Sequence, residues 1–169
     1  MTNAIVYSSQ TGNTKLLAET IREALPGNSL VYFGTPGEEA LKADRIYVGF
    51  WTDKGSCSQE TGNFLKTLTD QQVYLFGTAG FGESQDYFDK VLKRTEKFLP
   101  RGVRLVGSFM CQGKMPMTVR QRYEKMMHSP VKVPNLQGMI ENFDKALRHP
   151  DPEDLRRLGQ SIQMLNSET

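Results

Sequence analysis

A turn rich in hydroxyl groups, close to the amino terminus, has the residue types needed to bind an anion. It consists of Ser9, Gln10, Thr11, Gly12, Asn13 and Thr14. An apolar run precedes the turn and a helical pattern follows it, so free backbone N–H groups and the helix dipole meet there. Gly12 lets the backbone wrap around an anion, and the hydroxyls of Ser9, Thr11 and Thr14 add donors.

The composition of this turn limits the kind of anion that it suits. No Lys or Arg lies within it, and it lacks the glycine-lysine pattern of the phosphate loop in nucleotide triphosphatases. Neutral donors suit one terminal phosphate better than a triphosphate with magnesium. A hydroxyl-rich helix cap that binds no ligand is the alternative interpretation.

The only tryptophan of the chain marks a second candidate segment. This segment comprises Trp51, Thr52, Asp53, Lys54 and Gly55, directly after an apolar run at 45–50. A strand that ends there would direct Trp51 toward a ligand at the edge of a sheet. Packing of Trp51 as a cap on the core is the alternative.

Three glycines characterise a third segment, at 77–82, which follows an apolar run at 73–76. After Gly77 it consists of Thr78, Ala79, Gly80, Phe81 and Gly82. Glycines let a backbone approach a planar ligand closely, and Phe81 can stack on such a ligand. The glycine spacing differs from the GxGxxG fingerprint, so it does not indicate a dinucleotide site.

Short apolar runs alternate with helical patterns along the chain and predict the scaffold for these segments. The predicted strands lie at 4–7, 29–33, 45–50, 73–76 and 103–109, and a last amphipathic helix opens at Asp151 and Pro152. We therefore predict an α/β fold, a doubly wound five-stranded parallel sheet of order 2-1-3-4-5 with helices on both faces. Ligands bind such sheets at the carboxyl ends of the strands, where all three segments lie.

The turn at 9–14 resembles the phosphate loop of the flavodoxin family, whose pattern is Thr/Ser-x-Thr-Gly-x-Thr directly after the first strand. The resemblance covers residues 3–110 and the final helix. It implies that the residues named in the three segments, apart from Gly77, hold FMN non-covalently, with the phosphate on the turn and the ring between Trp51 and Phe81. In flavodoxins the backbone of the second segment contacts flavin N5, and Gly55 would permit that peptide to flip. A tyrosine is more usual where Phe81 stands.

For function, the resemblance implies a carrier of single electrons, with no catalytic residue and no metal ligand of its own. Electrons would arrive from a reductase or ferredoxin and leave to an acceptor reductase. An NAD(P)H-dependent FMN reductase or quinone reductase of the same fold is the enzymatic alternative, although no motif assigns a nicotinamide site. A ligand-free interaction module is a further alternative. A response-regulator receiver is disfavoured, because no acidic pair follows the first strand.

Residues 111–149 exceed a minimal domain of this family and predict an extra helical excursion before the last helix. Between 114 and 132, Glu124 alone opposes the basic residues Lys114, Arg120, Arg122, Lys125 and Lys132. This positive charge departs from the typically acidic flavodoxins. We expect the first four basic side chains to dock a redox partner, with a solvated helix face as the alternative.

The remaining features of the sequence bound its class. The chain, 1–169, suits one domain, and a net charge of +2 does not suggest nucleic acid. No signal peptide opens it and no apolar run approaches about 18 residues, so we expect a cytoplasmic protein without a membrane span. Cys57 and Cys111 lack metal-ligand spacing and are interpreted as ordinary thiols, with a redox pair as the alternative.

Overall fold

Five parallel strands form the central sheet in the computed structural model, which describes residues 1–82 and 84–168. The strands are β1 (Asn3–Tyr7), β2 (Leu30–Gly34), β3 (Arg45–Asp53), β5 (Gln72–Ala79) and β6 (Arg104–Gln112), in the order β2-β1-β3-β5-β6. The predicted α/β class and the order of the five parallel strands are therefore confirmed. The total of five strands is wrong, because the short β4 (Ser56–Cys57) pairs antiparallel with the end of β3.

Three of the parallel strands, β3, β5 and β6, continue further than their apolar runs. In the register of β3 with β5, Trp51 lies opposite Thr78, and β3 itself extends to Asp53. The sequence placed all of 51–55 and 77–82 after the strands. The difference arises because hydrogen bonds to the neighbouring strand hold a backbone extended whatever the polarity of its side chains.

The described residues form six helices and one 3-10 turn. They are α1 (Asn13–Ala24), α2 (Gln59–Leu65), α3 (Gln85–Glu96), α4 (Met117–Met127), α5 (Leu136–Ala146) and α6 (Pro152–Ser167), with the 3-10 turn at Glu38–Lys42. Of these, α1 to α3 and the 3-10 turn lie between strands, and α4 to α6 follow the last strand. The Ser58 and Ser84 side chains cap α2 and α3. Asp151 and Asp154 form a capping box at the start of α6, where Pro152 occupies the first turn.

Side chains alternate between two cores on opposite faces of the sheet. On one face Ile46, Val48 and Phe50 pack against α2 and α3. On the other face Tyr47 packs against α1 and α6. This arrangement covers both faces of the sheet and leaves the carboxyl ends of the strands as the edge where loops meet.

The predicted excursion is a helical hairpin with a small core of its own. Tyr123, Ile140 and Phe143 are buried between α4 and α5. The hairpin starts later than predicted, since β6 runs on through Cys111 to Gln112. Among the described helices, none is long and apolar enough to cross a membrane.

Candidate functional site

Thr78, near the end of β5, connects the three candidate segments. The hydroxyls of Thr78 and Thr14 lie 3.4 Å apart, and the Thr52 hydroxyl donates to the Thr78 carbonyl at 2.8 Å. Thr14 and Thr78 are both buried. The structure thus brings the turn at 9–14, the segment at 51–55 and the segment at 77–82 together at one edge of the sheet.

The turn at 9–14 folds around the Ser9 hydroxyl. This oxygen accepts from the N–H groups of Gly12, at 3.2 Å, and Lys15, at 3.4 Å. Gly12 has φ +87°, a left-handed conformation that favours glycine, and an added Cβ would meet no atom within 4 Å. In the part of the chain that the structure describes, no acceptor takes the N–H groups of Asn13 or Thr14. The turn therefore faces open space with two helix N-terminal donors.

The other polar side chains of the turn have protein partners. The Thr11 hydroxyl and the Asn13 amide both donate to the carbonyl of Lys114, at 3.3 and 2.9 Å. The Thr14 hydroxyl is buried as well. Part of the hydroxyl-rich composition of the turn therefore stabilises the fold and is not free to bind a ligand. The backbone N–H groups are the more available anion donors. Gln10 is exposed.

The segment at 51–55 is a tight hairpin between β3 and β4. Lys54 and Gly55 form its two-residue turn, with φ +49° and +82°. Positive φ at both positions matches the twist of the strands. The Gly55 carbonyl accepts from Arg94 at 3.3 Å, and the Cys57 N–H donates to the Thr95 hydroxyl at 3.2 Å, so α3 anchors the hairpin.

Trp51 lies within β3, on the face of the sheet that Tyr47 and Gly49 share. It is half-buried at the carboxyl end of the strand. An added Cβ at Gly49 would collide with the ring of Phe76 and press on Thr14. Because Gly49 has no side chain, the first turn of α1 packs closely against the sheet beside Trp51.

The glycines of the third segment lie against protein side chains. An added Cβ would be 2.5 Å from the sulfur of Met115 at Gly80, and 2.6 Å from Cβ of Gln112 at Gly82. The structure thus gives these glycines a packing reason that the sequence did not reveal. Phe81 is 45% exposed.

A cavity of about 370 Å³ opens beside Phe81. The start of α3 and one side of α5 complete it, and its lining includes Tyr87, Met139, Glu141 and Asn142. Its size falls in the range of small-molecule sites. The lining is partly aromatic and partly polar.

Two amide side chains that the sequence analysis missed hold the third segment by its Gly80 carbonyl. Gln112 and Asn142 both donate to the Gly80 carbonyl, at 2.9 and 3.0 Å. Asn142 lies between the core residues Ile140 and Phe143 of α5, and it is itself buried. A buried polar residue within an apolar helical pattern was the available signal.

The two cysteines are free and buried, and they belong to different cores. Cys57 packs on the α2 and α3 face, and Cys111 on the α1 and α6 face. Burial raises the pKa of both thiols. The sheet therefore separates two thiols of low reactivity, which argues against the redox-pair alternative.

His149, Asp151 and Asp154 bring potential metal-ligating atoms within 4.8 Å of one another. Their contacts already serve the start of α6. Asp154 accepts from His149 Nδ1 at 2.6 Å, from the Asp151 N–H at 2.9 Å and from Arg157 at 2.8 Å. The cluster is thus a helix cap.

Comparison with known proteins identifies the family of this chain. A model of the flavodoxin domain matches residues 4–163. The chain belongs to the flavodoxin family. The flavodoxin-like domain-containing protein BilS of Clostridium symbiosum (strain WAL-14163) is 42% identical over 172 residues, which cover 92% of this chain and 90% of the relative. A protein of the same description from Clostridioides difficile (strain CD3) is 29% identical, with the same shares covered.

Solved flavodoxins share the fold of this flavodoxin-family chain at low sequence identity. Oxidised flavodoxin 2 from Bacillus cereus aligns over the full length of both chains with a TM-score of 0.64 and 19% identity. A short-chain flavodoxin associated with a non-canonical PDU bacterial microcompartment gives 0.61 and 16%, over 99% of both chains. The α4–α5 hairpin is thus part of a chain that is flavodoxin-like throughout.

Proposed function

We propose that this flavodoxin-family chain binds FMN and carries single electrons between partner proteins. The observation that carries the proposal is the turn at 9–14. Its left-handed Gly12 faces open space, and the N–H groups of Asn13 and Thr14 remain available for an anion. A helix N-terminus with free donors suits a terminal phosphate. Membership of the flavodoxin family supports FMN as the ligand that brings this phosphate.

The residues at this edge fit a cofactor with a phosphate at one end and a flat ring at the other. The turn would hold the phosphate, while Trp51 and the segment at 78–82 would hold the ring. FMN supplies one-electron and two-electron redox chemistry when it is bound. The chain supplies a rigid site, because Arg94 and Thr95 fix the hairpin and Thr78 joins it to the turn.

The hairpin α4–α5 provides a candidate docking surface for the redox partner. The side chains of Lys114, Arg122 and Lys125 are exposed. Arg120 is less available, because it pairs with Asp144 at 3.2 Å and Glu124 at 3.5 Å. A positive surface next to the site would speed encounter with an acidic partner. We therefore retain the proposed docking surface with Arg120 in a structural role.

A reductase that uses NAD(P)H to reduce its flavin or a quinone is the second candidate. The cavity of about 370 Å³ beside Phe81 favours it, since an aromatic wall can take a small planar molecule. Steady-state oxidation of NADH or NADPH by the FMN-loaded protein distinguishes an enzyme from a carrier. A carrier should show no turnover above free FMN.

Binding of FMN to the purified chain tests the proposal. Flavin fluorescence should be quenched as the protein is added, and FMN should bind more tightly than riboflavin. Potentiometric titration of the complex should then show two separated one-electron steps. A protein that binds neither flavin would refute the proposed function.

A further inference from the structure

We propose that Gln112 and Asn142 are positioning residues that orient the Gly80–Phe81 peptide and so adjust the reduction potential of the flavin. This assignment rests on the proposed function, since it concerns the segment that would hold the ring. Neither residue lies in the three candidate segments at 9–14, 51–55 and 77–82. Their contacts and the planarity of the peptide carry the inference.

The two amides and the Gly80 carbonyl form a closed triangle of hydrogen bonds. Gln112 Nε2 donates to the Gly80 carbonyl at 2.9 Å and to Asn142 Oδ1 at 3.0 Å. Asn142 Nδ2 donates to the same carbonyl at 3.0 Å. Two donors therefore saturate this oxygen, which fixes its direction.

Burial makes this triangle rigid. Gln112 is 9% exposed and Asn142 is 5% exposed. A buried amide that loses its partner keeps its desolvation cost, so alternative orientations of the Gly80 carbonyl are disfavoured. Met115 also lies against Gly80.

The direction of the carbonyls determines the direction of the N–H groups. The Ala79 carbonyl accepts from the Gly113 N–H at 2.9 Å, and the Gly80 carbonyl accepts from the two amides, so both point to the β6 side. In a trans peptide the N–H points opposite to the C=O. The N–H groups of Gly80 and Phe81 are therefore both directed to the β3 side.

In a regular strand, successive N–H groups point to alternate sides of the backbone. Here the N–H groups of Gly80 and Phe81 point to the same side. Such a pair concentrates partial positive charge on one side of the backbone. Trp51 belongs to β3, on that side of β5. A ring held there would be stabilised more strongly when it carries extra electron density, so the pair should favour the reduced flavin.

Three variants test the assignment. Gln112→Met and Asn142→Leu remove the donors to Gly80. The matched control is Gln137→Leu, because the exposed Gln137 lies on α5, as Asn142 does, and its side chain donates to Glu141 and not to Gly80. The measurement is the affinity for reduced FMN relative to oxidised FMN, obtained from the midpoint potential. Hydrogen exchange of the Gly80 and Phe81 amides in the apoprotein gives a second readout without flavin.

We expect the affinity ratio to shift toward oxidised FMN by about three- to tenfold in Gln112→Met and Asn142→Leu, and to stay unchanged in the control. Amide exchange at Gly80 and Phe81 should quicken. If Asn142→Leu does not fold, Gln112→Met carries the test alone, because it removes one of the two donors to Gly80 and adds no charge. An unchanged ratio in folded variants that bind FMN would overturn the assignment and leave the proposed function intact. A parent protein that binds no FMN would overturn both.

Discussion

The hydroxyls of Thr14 and Thr78 lie 3.4 Å apart, where the first turn of α1 meets the end of β5. Both side chains are buried, and 64 positions separate them in the sequence. The pair ties the proposed phosphate turn to the proposed ring segment. Several expected outcomes depend on this edge of the sheet.

Loss of one hydroxyl from this pair should destabilise the fold. Thr14→Val or Thr78→Val leaves the other hydroxyl buried without a partner and should lower the free energy of unfolding by about 1–3 kcal/mol. The double variant should lose less than the sum, since neither hydroxyl is then left alone. Urea unfolding measures all three, with Thr118→Val, on the exposed face of α4, as the control. Strict additivity would contradict the pairing.

The conformation of Gly12 should matter for FMN more than for riboflavin. Gly12→Ala forces a side chain into φ +87° and should weaken FMN binding by about 1–2 kcal/mol, because the turn can no longer present its N–H groups. Riboflavin, which has no phosphate, should bind about as before. Gly159→Ala, within α6 and with open space around it, is the control and should leave FMN affinity unchanged. If Gly12→Ala lowers the affinity for FMN and for riboflavin equally, the turn does not bind the phosphate.

Trp51 should report directly on the ring. Since it is the only tryptophan of the chain, its emission should fall in proportion to bound FMN and saturate at one equivalent. In Gly12→Ala the same quenching should require more FMN. The measurement is tryptophan fluorescence during titration of the apoprotein. If the emission does not change when FMN binds, Trp51 does not lie next to the ring.

The basic face of α4 should affect electron exchange through charge alone. Arg122→Gln with Lys125→Gln should slow reoxidation of the reduced, FMN-loaded protein by the trianion ferricyanide about two- to fivefold at low salt. High salt should abolish the difference, and neutral benzoquinone should show none. Arg120→Gln should have a smaller effect on the rate than the double variant, because it removes one positive charge instead of two. Stopped-flow absorbance of the flavin gives each rate.

Acid should weaken the cap of α6. Burial opposes ionisation of Asp154, but hydrogen bonds from His149, the Asp151 N–H and Arg157 outweigh it and hold its pKa below its usual value. A lowered pKa in the folded state stabilises the protein fully above the unfolded value, and the contribution is lost as pH falls through the folded value. The free energy of unfolding should therefore decrease below about pH 4, and less steeply in Asp154→Asn. Parallel pH profiles would contradict this role.

Local sequence was sufficient for the scaffold and for the turn at 9–14. Continuous apolar runs predict strands buried on both faces, and alternation with helices leaves few topologies. The hydroxyl-rich turn around Gly12 was predictable because its position after β1 and before α1 depends on neighbours in the chain. The cofactor roles of the residues at 9–14, 51–55 and 78–82 stay predictions.

Tertiary structure alone decided where the strands end and what holds their loops. Pairing with β5 extends β3 through Trp51, and the two-residue turn at Lys54 adds β4, neither of which an apolar pattern encodes. The amides of Gln112 and Asn142 reach Gly80 across 32 and 62 positions of the chain. Contacts of that separation depend on how whole layers pack, so the residue types that make them give no local signal of their partners.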